Sequence, residues 1–167
     1  MPVTAAQVRE LRDKTSAGIM DCKRALEESD GDIAKAEAIL NKKGLASAAK
    51  KAGRSTSEGL VVSYIHTGGR VGSMIELNCE TDFVARTDEF EVLGRNLAMQ
   101  VAAMSPRFVD RDSVPEDAEE VKDEELLLEQ EYIRDSTMKI ADLVTDSIGK
   151  LGENIRIRRF SRFELGG

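Results

Sequence analysis

The fold is decided by the stretch Val71-Gly72-Ser73-Met74-Ile75-Glu76-Leu77-Asn78-Cys79-Glu80-Thr81-Asp82-Phe83-Val84-Ala85, in which a strand-like pattern passes directly into a helix-like one. Either Thr81 or Asp82 can cap the helical turn, because a short side-chain oxygen satisfies a backbone N–H that the turn leaves unpaired. A capped turn would leave Phe83 projecting from a rigid rim, where an aromatic ring can anchor in a partner's pocket. The alternative is an ordinary core Phe83 just after a helix start.

The composition indicates a globular protein of the cytoplasm. Hydrophobic residues make up 41% of the 167 residues and charged residues 33%, which is typical of soluble domains. No apolar run is long enough to span a bilayer, and the N-terminus has no apolar segment of the secretory type. Cys22 and Cys79 match no metal or disulfide spacing, so both are expected to be reduced thiols. The formal net charge of −7 argues against binding to a phosphate backbone.

The sequence offers little support for an enzyme. No Walker-type loop, nucleophile elbow or zinc-protease motif occurs in it. The single histidine, His66, precedes a Thr-Gly-Gly-Arg turn and is expected to be a solvated residue at a hairpin tip. We therefore expect no catalytic centre, no metal and no cofactor of its own.

The N-terminal part predicts a small three-helix domain over residues 1–45. Ser16 and Gly18 separate the first helix from the second, and Asp32 follows a turn and caps the third. Gly44 suits the position just after the third helix. Residues 46–58 are small, polar and basic, which predicts a helical tail that runs into a flexible linker.

Residues 59–167 predict a core of a small antiparallel three-stranded sheet packed with helices, so the fold class is α+β. The first two strands alternate in polarity on both sides of the His66 turn. A helix with the capping box Asp88-x-x-Glu91 follows and should stop near Pro106. The last strand lies in residues 154–163, where the alternation slips at Arg158 and predicts a bulge or a strand edge.

The segment between that helix and the last strand predicts two further helices. Residues 116–131 hold nine acidic residues against one lysine and favour a solvated acidic helix. A second helix is indicated by apolar residues at helical spacing from Ile133 to Ile148. The two helices would form an antiparallel pair on the sheet.

Five stretches of the chain carry a resemblance to one family. They are residues 8–26 (VRELRDKTSAGIMDCKRAL), 31–33 (GDI), 48–53 (AAKKAG), 76–85 (ELNCETDFVA) and 152–159 (GENIRIRR). In this order and over nearly the whole chain, the sequence resembles bacterial translation elongation factor Ts. Long members of that family hold two related cores, and this chain has room for one, so it resembles the short form.

The resemblance implies a nucleotide-exchange factor for the GTPase elongation factor Tu. In the family, the three-helix domain, which is similar to ubiquitin-associated domains, grips the GTPase. A Thr-Asp-Phe-Val segment pushes near the magnesium site and so promotes GDP release. By position, the resemblance implies partner contacts at Arg12, Ile19 and Met20. It implies the magnesium-displacing segment at Thr81, Asp82, Phe83 and Val84.

Two other functions stay open from the residues. Three small helices also fit a protein-binding module of the ubiquitin-associated type. Lys50, Lys51, Arg54 and the terminal arginines would fit a ribosome-associated RNA-binding accessory, although solvated charges explain them equally well. We expect no specific nucleic acid, no membrane and no direct nucleotide binding.

The predicted sheet would expose one apolar face. Either the helix pair within residues 116–150 covers that face, or a second copy of the chain does. Because a two-fold dimer is the commonest closed solution for one self-complementary patch, we expect a homodimer that engages two GTPase molecules.

Overall fold

A computed structural model describes residues 3–15 and 17–167 of the chain. It contains two compact units. The first comprises the described residues as far as Gly53 together with Ile148–Gly152, and the second comprises Arg54–Ser147 and Glu153–Gly167. Ser16, which was expected to separate the first two helices, lies outside the described residues.

The first unit is built from three helices: α1 (Ala5–Thr15), α2 (Ile19–Glu28) and α3 (Ile33–Lys51). The predicted cap is confirmed, because the Asp32 carboxylate accepts a hydrogen bond from the backbone N–H of Lys35 at 3.0 Å. This bond stabilises the anion and holds the pKa of Asp32 below its usual value. The fully buried residues of the unit are Leu11, Cys22, Ala25, Leu26 and Ala36.

The predicted end of the third helix at Gly44 is wrong. Helix α3 continues through Gly44 to Lys51, so the helical tail predicted to start at residue 46 is present as the last part of the same helix. A glycine inside a helix costs only about 1 kcal/mol relative to alanine. The alanine-rich turns that follow Gly44 favour the helix strongly enough to offset this loss of stability.

The second unit contains the predicted antiparallel sheet. Its strands are β1 (Glu58–Ile65), β2 (Val71–Cys79) and a terminal strand, Ile155–Glu164, in the order first, second, terminal. His66 lies at the tip of the β1–β2 hairpin and donates its backbone N–H to the carbonyl of Val71 at 2.9 Å. The predicted bulge is confirmed: Glu76 pairs with Arg159 and Leu77 with Ile157, so Arg158 is the extra residue.

One face of the sheet is covered by a helix. The turn α4 (Asp82–Ala85) follows β2, and α5 (Asp88–Met104) then packs its apolar side on the sheet. The predicted capping box of α5 is wrong by one residue, because the cap is Thr87, whose hydroxyl accepts from the backbone N–H of Phe90 at 3.2 Å. Helix α5 ends before Pro106 as predicted, with Ser105 in the left-handed conformation at φ 49°.

The predicted acidic helix over residues 116–131 is wrong, and with it the antiparallel helix pair. That segment holds two single 3-10 turns, Asp123–Glu125 and Leu127–Glu129, and leads into the short strands β3 (Glu131–Tyr132) and β4 (Asp135–Lys139). Leu126 and Leu127 are both buried here. A continuous α-helix over this segment would place several like charges four residues apart, which destabilises a helix.

Helix α6 (Ile140–Leu151) is shorter than predicted at its start, because Ile133 lies before β4 and is exposed. It leads into β5, the terminal strand Ile155–Glu164. The α+β class, with N-terminal helices followed by a three-stranded antiparallel sheet packed with helices, is confirmed. No helix in the described part of the chain is both long and apolar enough to cross a membrane.

Candidate functional site

Turn α4 holds the side chain that the sequence singled out. Thr81 is its N-cap, and the Thr81 hydroxyl accepts a hydrogen bond from the backbone N–H of Val84 at 3.4 Å. The turn buries Ala85 beneath it and leaves Phe83 80% exposed. The alternative that Phe83 is a core residue is therefore wrong. An aromatic ring left in water on a short capped turn is an unusual surface feature.

The charges around Phe83 form a small local pair. Asp82 contacts the guanidinium of Arg86 at 3.0 Å, one helical turn away. Both side chains are largely solvated, so this ion pair adds little to stability. Thr81, Asp82 and Val84 are all partly buried, and Phe83 is the most exposed of the four predicted residues.

The backbone that leads into α4 is bound by a residue that the sequence analysis did not select. The Glu153 carboxylate accepts hydrogen bonds from the backbone N–H of Glu80 at 3.0 Å and of Thr81 at 2.9 Å. It also accepts the hydroxyl proton of Thr81. In return, the Glu80 carboxylate accepts the backbone N–H of Asn154 at 2.7 Å. Residues 80 and 153 are far apart in sequence, and no spacing rule links them.

A buried thiol lies beside this link. Cys79 is fully buried, and its Sγ donates to the backbone carbonyl of Thr81 at 3.1 Å. Burial, and after it the negative charge of Glu153, raise the pKa of Cys79 to about 11. The thiol therefore stays protonated and acts as a small packing group that donates a hydrogen bond.

The predicted grip residues lie in the first unit. Ile19 and Met20 occupy the start of α2 and are 55% and 62% exposed, outside the buried cluster of the three helices. Arg12 is exposed on α1. Two large apolar side chains at one helix start thus leave apolar area in water, which is the kind of area that a protein interface buries.

The single histidine and two arginines of the terminal strand contact other groups of the protein. The His66 ring nitrogen Nδ1 lies 3.0 Å from the Tyr64 hydroxyl in the exposed hairpin. Arg162 donates to the carbonyl of Ala102 at 3.0 Å. Arg158 contacts the Glu76 carboxylate at 3.3 Å. Within the described ranges, no group of histidine, cysteine or acidic side chains could hold a metal ion.

The face of the sheet opposite α5 carries exposed apolar side chains. The strand register places Val61, Met74, Ile65 and Phe163 on this face. They are 67%, 51%, 66% and 74% exposed in that order. We refer to these four residues as the open face. The helix pair that was expected to cover this face is not formed.

Comparison with known proteins agrees with the resemblance. The family model described as Elongation factor TS matches residues 46–132. The chain is 49% identical to the elongation factor Ts of Thermotoga neapolitana, over 99% of this chain and 98% of that protein. It is also 49% identical to the elongation factor Ts of Anaeromyxobacter dehalogenans, over 98% of this chain and 89% of that protein. The identity with elongation factor Ts of Fervidobacterium nodosum is 47%, over 99% and 100%.

Together with these comparisons, the α+β fold with three N-terminal helices identifies the chain as a translation elongation factor. The chain belongs to the elongation factor Ts family.

Proposed function

We propose that this protein is the guanine nucleotide exchange factor of elongation factor Tu and acts in the cytoplasm during translation elongation. Family membership supports the partner, and the exposed ring of Phe83 on its capped turn carries the mechanism. The factor performs no bond chemistry of its own. It binds the GTPase and lowers the affinity of the GTPase for GDP.

The energetic requirement for exchange is reciprocal coupling. A factor that binds the nucleotide-free GTPase more tightly than the GDP-bound form must weaken GDP binding by the same free energy. No nucleotide has to touch the factor. What the factor needs is a rigid group that fits the partner only when the nucleotide site has opened.

Phe83 suits that role. In the proposed complex its ring enters the region of the bound magnesium ion, which bridges and neutralises the phosphates of GDP. Displacing the ion leaves the phosphates poorly compensated, and GDP leaves. Burying a phenylalanine side chain contributes roughly 1.5–3 kcal/mol, which stabilises the opened state without accounting for the whole acceleration. Thr81, Asp82 and Val84 hold the ring at the required place.

The first unit supplies affinity. Ile19 and Met20 offer exposed apolar area, and Arg12 offers an exposed guanidinium that can donate several hydrogen bonds. We propose that these residues contact the GTPase domain of elongation factor Tu and hold it while α4 acts. This division of roles places binding in one unit and displacement in the other.

We also propose that two copies of the chain associate through the open face. Four exposed apolar side chains on one sheet face are a self-complementary patch, and a two-fold dimer buries such a patch on both copies. The homodimer would engage two molecules of elongation factor Tu.

The test is release of fluorescently labelled GDP from purified elongation factor Tu. Phe83→Ala should slow the stimulated release strongly, and Asp82→Ala should slow it less. Val92→Ala removes another exposed apolar side chain from α5 and serves as the matched control. If wild-type protein does not accelerate release, the proposed function is wrong. If Phe83→Ala and Val92→Ala both stimulate GDP release from elongation factor Tu at the wild-type rate, the displacement mechanism is wrong.

A further inference from the structure

We infer that Glu153 is a positioning residue for nucleotide exchange, because its carboxylate anchors the backbone immediately before α4 and so fixes the direction in which Phe83 projects. The inference rests on the proposed function of Phe83. Glu153 touches neither the ring nor, in the proposed mechanism, the partner's nucleotide. It acts through Thr81.

The geometry of the anchor is specific. One carboxylate oxygen of Glu153 accepts two successive backbone N–H groups, those of Glu80 and Thr81. The other oxygen accepts the hydroxyl proton of Thr81. The Thr81 oxygen also accepts the N–H of Val84 through a lone pair, and this is the capping bond of α4. By holding the Thr81 backbone and hydroxyl together, Glu153 thus fixes the position of the oxygen that caps α4.

The anchor is reciprocal. The Glu80 carboxylate accepts the backbone N–H of Asn154 at 2.7 Å and lies 3.5 Å from the Arg54 guanidinium. The Asn154 side-chain amide donates to the backbone carbonyl of Arg54 at 2.9 Å. Two loops of the second unit, at the end of β2 and at the start of β5, are therefore bonded in both directions. Bonds that involve ionised carboxylates are stronger than neutral ones.

Turn α4 needs such an anchor because it is short. Four residues form a single turn, and a single turn does not persist in water from its own hydrogen bonds. Ala85 is the residue of α4 that is buried, so packing alone offers little to hold the turn. The direction of Phe83 consequently depends on what holds Thr81. A ring that samples many directions pays an entropic cost on entering a pocket, and a positioned ring does not.

Two variants and one control separate positioning from general stability. Glu153→Ala removes all three accepted bonds. Glu153→Gln keeps the length and one oxygen that can accept both backbone N–H groups, but it cannot accept the Thr81 proton at its amide nitrogen. Ser73→Ala removes a buried hydrogen bond to the carbonyl of Ala98 elsewhere in the same unit. It therefore costs stability without touching α4.

The first readout is amide hydrogen exchange of the full-length protein without any partner. Glu153→Ala should speed exchange at Thr81 and Val84, while Glu153→Gln should restore much of the protection and Ser73→Ala should leave both amides unchanged. The second readout is labelled-GDP release from elongation factor Tu. Glu153→Ala should lower the maximal rate by about tenfold, equivalent to about 1.4 kcal/mol, and leave the concentration for half-maximal rate within about twofold.

The outcomes distinguish this inference from the proposed function. Unchanged amide exchange in Glu153→Ala overturns the inference whatever the release rates are. Faster amide exchange with wild-type release also overturns it, provided that Phe83→Ala is slow in the same assay. An equal loss of release in Ser73→Ala shows a merely structural role and overturns it too. If Phe83→Ala stimulates GDP release at the wild-type rate, the displacement mechanism is wrong. The amide exchange of Thr81 and Val84 still shows in that case whether Glu153 holds α4.

Discussion

Replacing Ile19 and Met20 with alanine should weaken binding to elongation factor Tu without slowing release at saturation. The two side chains are 55% and 62% exposed and lie outside the buried cluster of the three-helix unit. Surface substitutions of this kind change the free energy of unfolding by about 0.5 kcal/mol or less. The double variant should therefore fold as the wild type does, which circular dichroism and thermal unfolding would verify.

The expected loss of affinity follows from the exposed fractions. Full burial of a large aliphatic side chain is worth roughly 1.5–3 kcal/mol. With a little more than half of each side chain still in water, the pair can contribute roughly 1.8–3.5 kcal/mol when a partner covers it. At about 1.4 kcal/mol per tenfold change, the dissociation constant should rise by about 20- to 300-fold.

Isothermal titration calorimetry with purified elongation factor Tu measures this change directly. Leu45→Ala is the matched control, because Leu45 is 58% exposed on α3 of the same unit and no contact is proposed for it. Labelled-GDP release at saturating factor should keep its wild-type rate in the double variant. An unchanged dissociation constant, or a loss shared equally by Leu45→Ala, would refute the reasoning that these residues grip the GTPase.

Three further predictions concern the second unit. Gly94→Ala should lower the free energy of unfolding by about 1–3 kcal/mol, because a Cβ there would lie 2.7 Å from Val62 Cγ2; chemical denaturation measures this, and an unchanged midpoint would contradict the tight packing of α5 on the sheet. The raised pKa of Cys79, about 11, keeps the folded thiol protonated where the unfolded thiol ionises, above about 8.5. The free energy of unfolding should therefore fall more steeply between these pH values in the wild type than in Cys79→Ala, and parallel curves would exclude the effect. Met74→Lys combined with Phe163→Ser should shift sedimentation equilibrium from dimer to monomer, whereas a wild-type mass near 18.3 kDa at all micromolar concentrations would exclude the dimer.

Local patterns in the sequence predicted the parts of the fold that local physics decides. Alternating polarity fixed which residues of β1 and β2 share a face, since side chains of a strand alternate between its two sides. The slip in that alternation identified the bulge at Arg158. The short polar residues after the strand predicted a cap of α4 at either Thr81 or Asp82, and Thr81 is the cap. Each of these signals lies within a few residues of the structure it predicts.

The errors have a shared physical cause. The path of residues 116–131 depends on the burial of Leu126 and Leu127. Residues that are distant in the sequence determine where these two side chains are buried. Gly44 predicts a helix end only when the helix-favouring residues that follow it are left out of account. The Glu153 anchor could not be found, because a hydrogen bond between residues 72 apart leaves no periodicity. What singles out Glu153 is three-dimensional: one carboxylate facing three donors.

The magnesium dependence of GDP release tests the proposed mechanism most directly. Labelled-GDP release from purified elongation factor Tu would be measured by stopped-flow fluorescence with saturating wild-type or Phe83→Ala protein, first with excess magnesium and then with the ion removed by EDTA. If Phe83 acts by disturbing the magnesium site, its loss matters only while magnesium is bound. The variant should therefore be much slower than the wild type in magnesium and nearly equal to it in EDTA. A defect of the same size in both conditions would contradict displacement of magnesium as the route to GDP release.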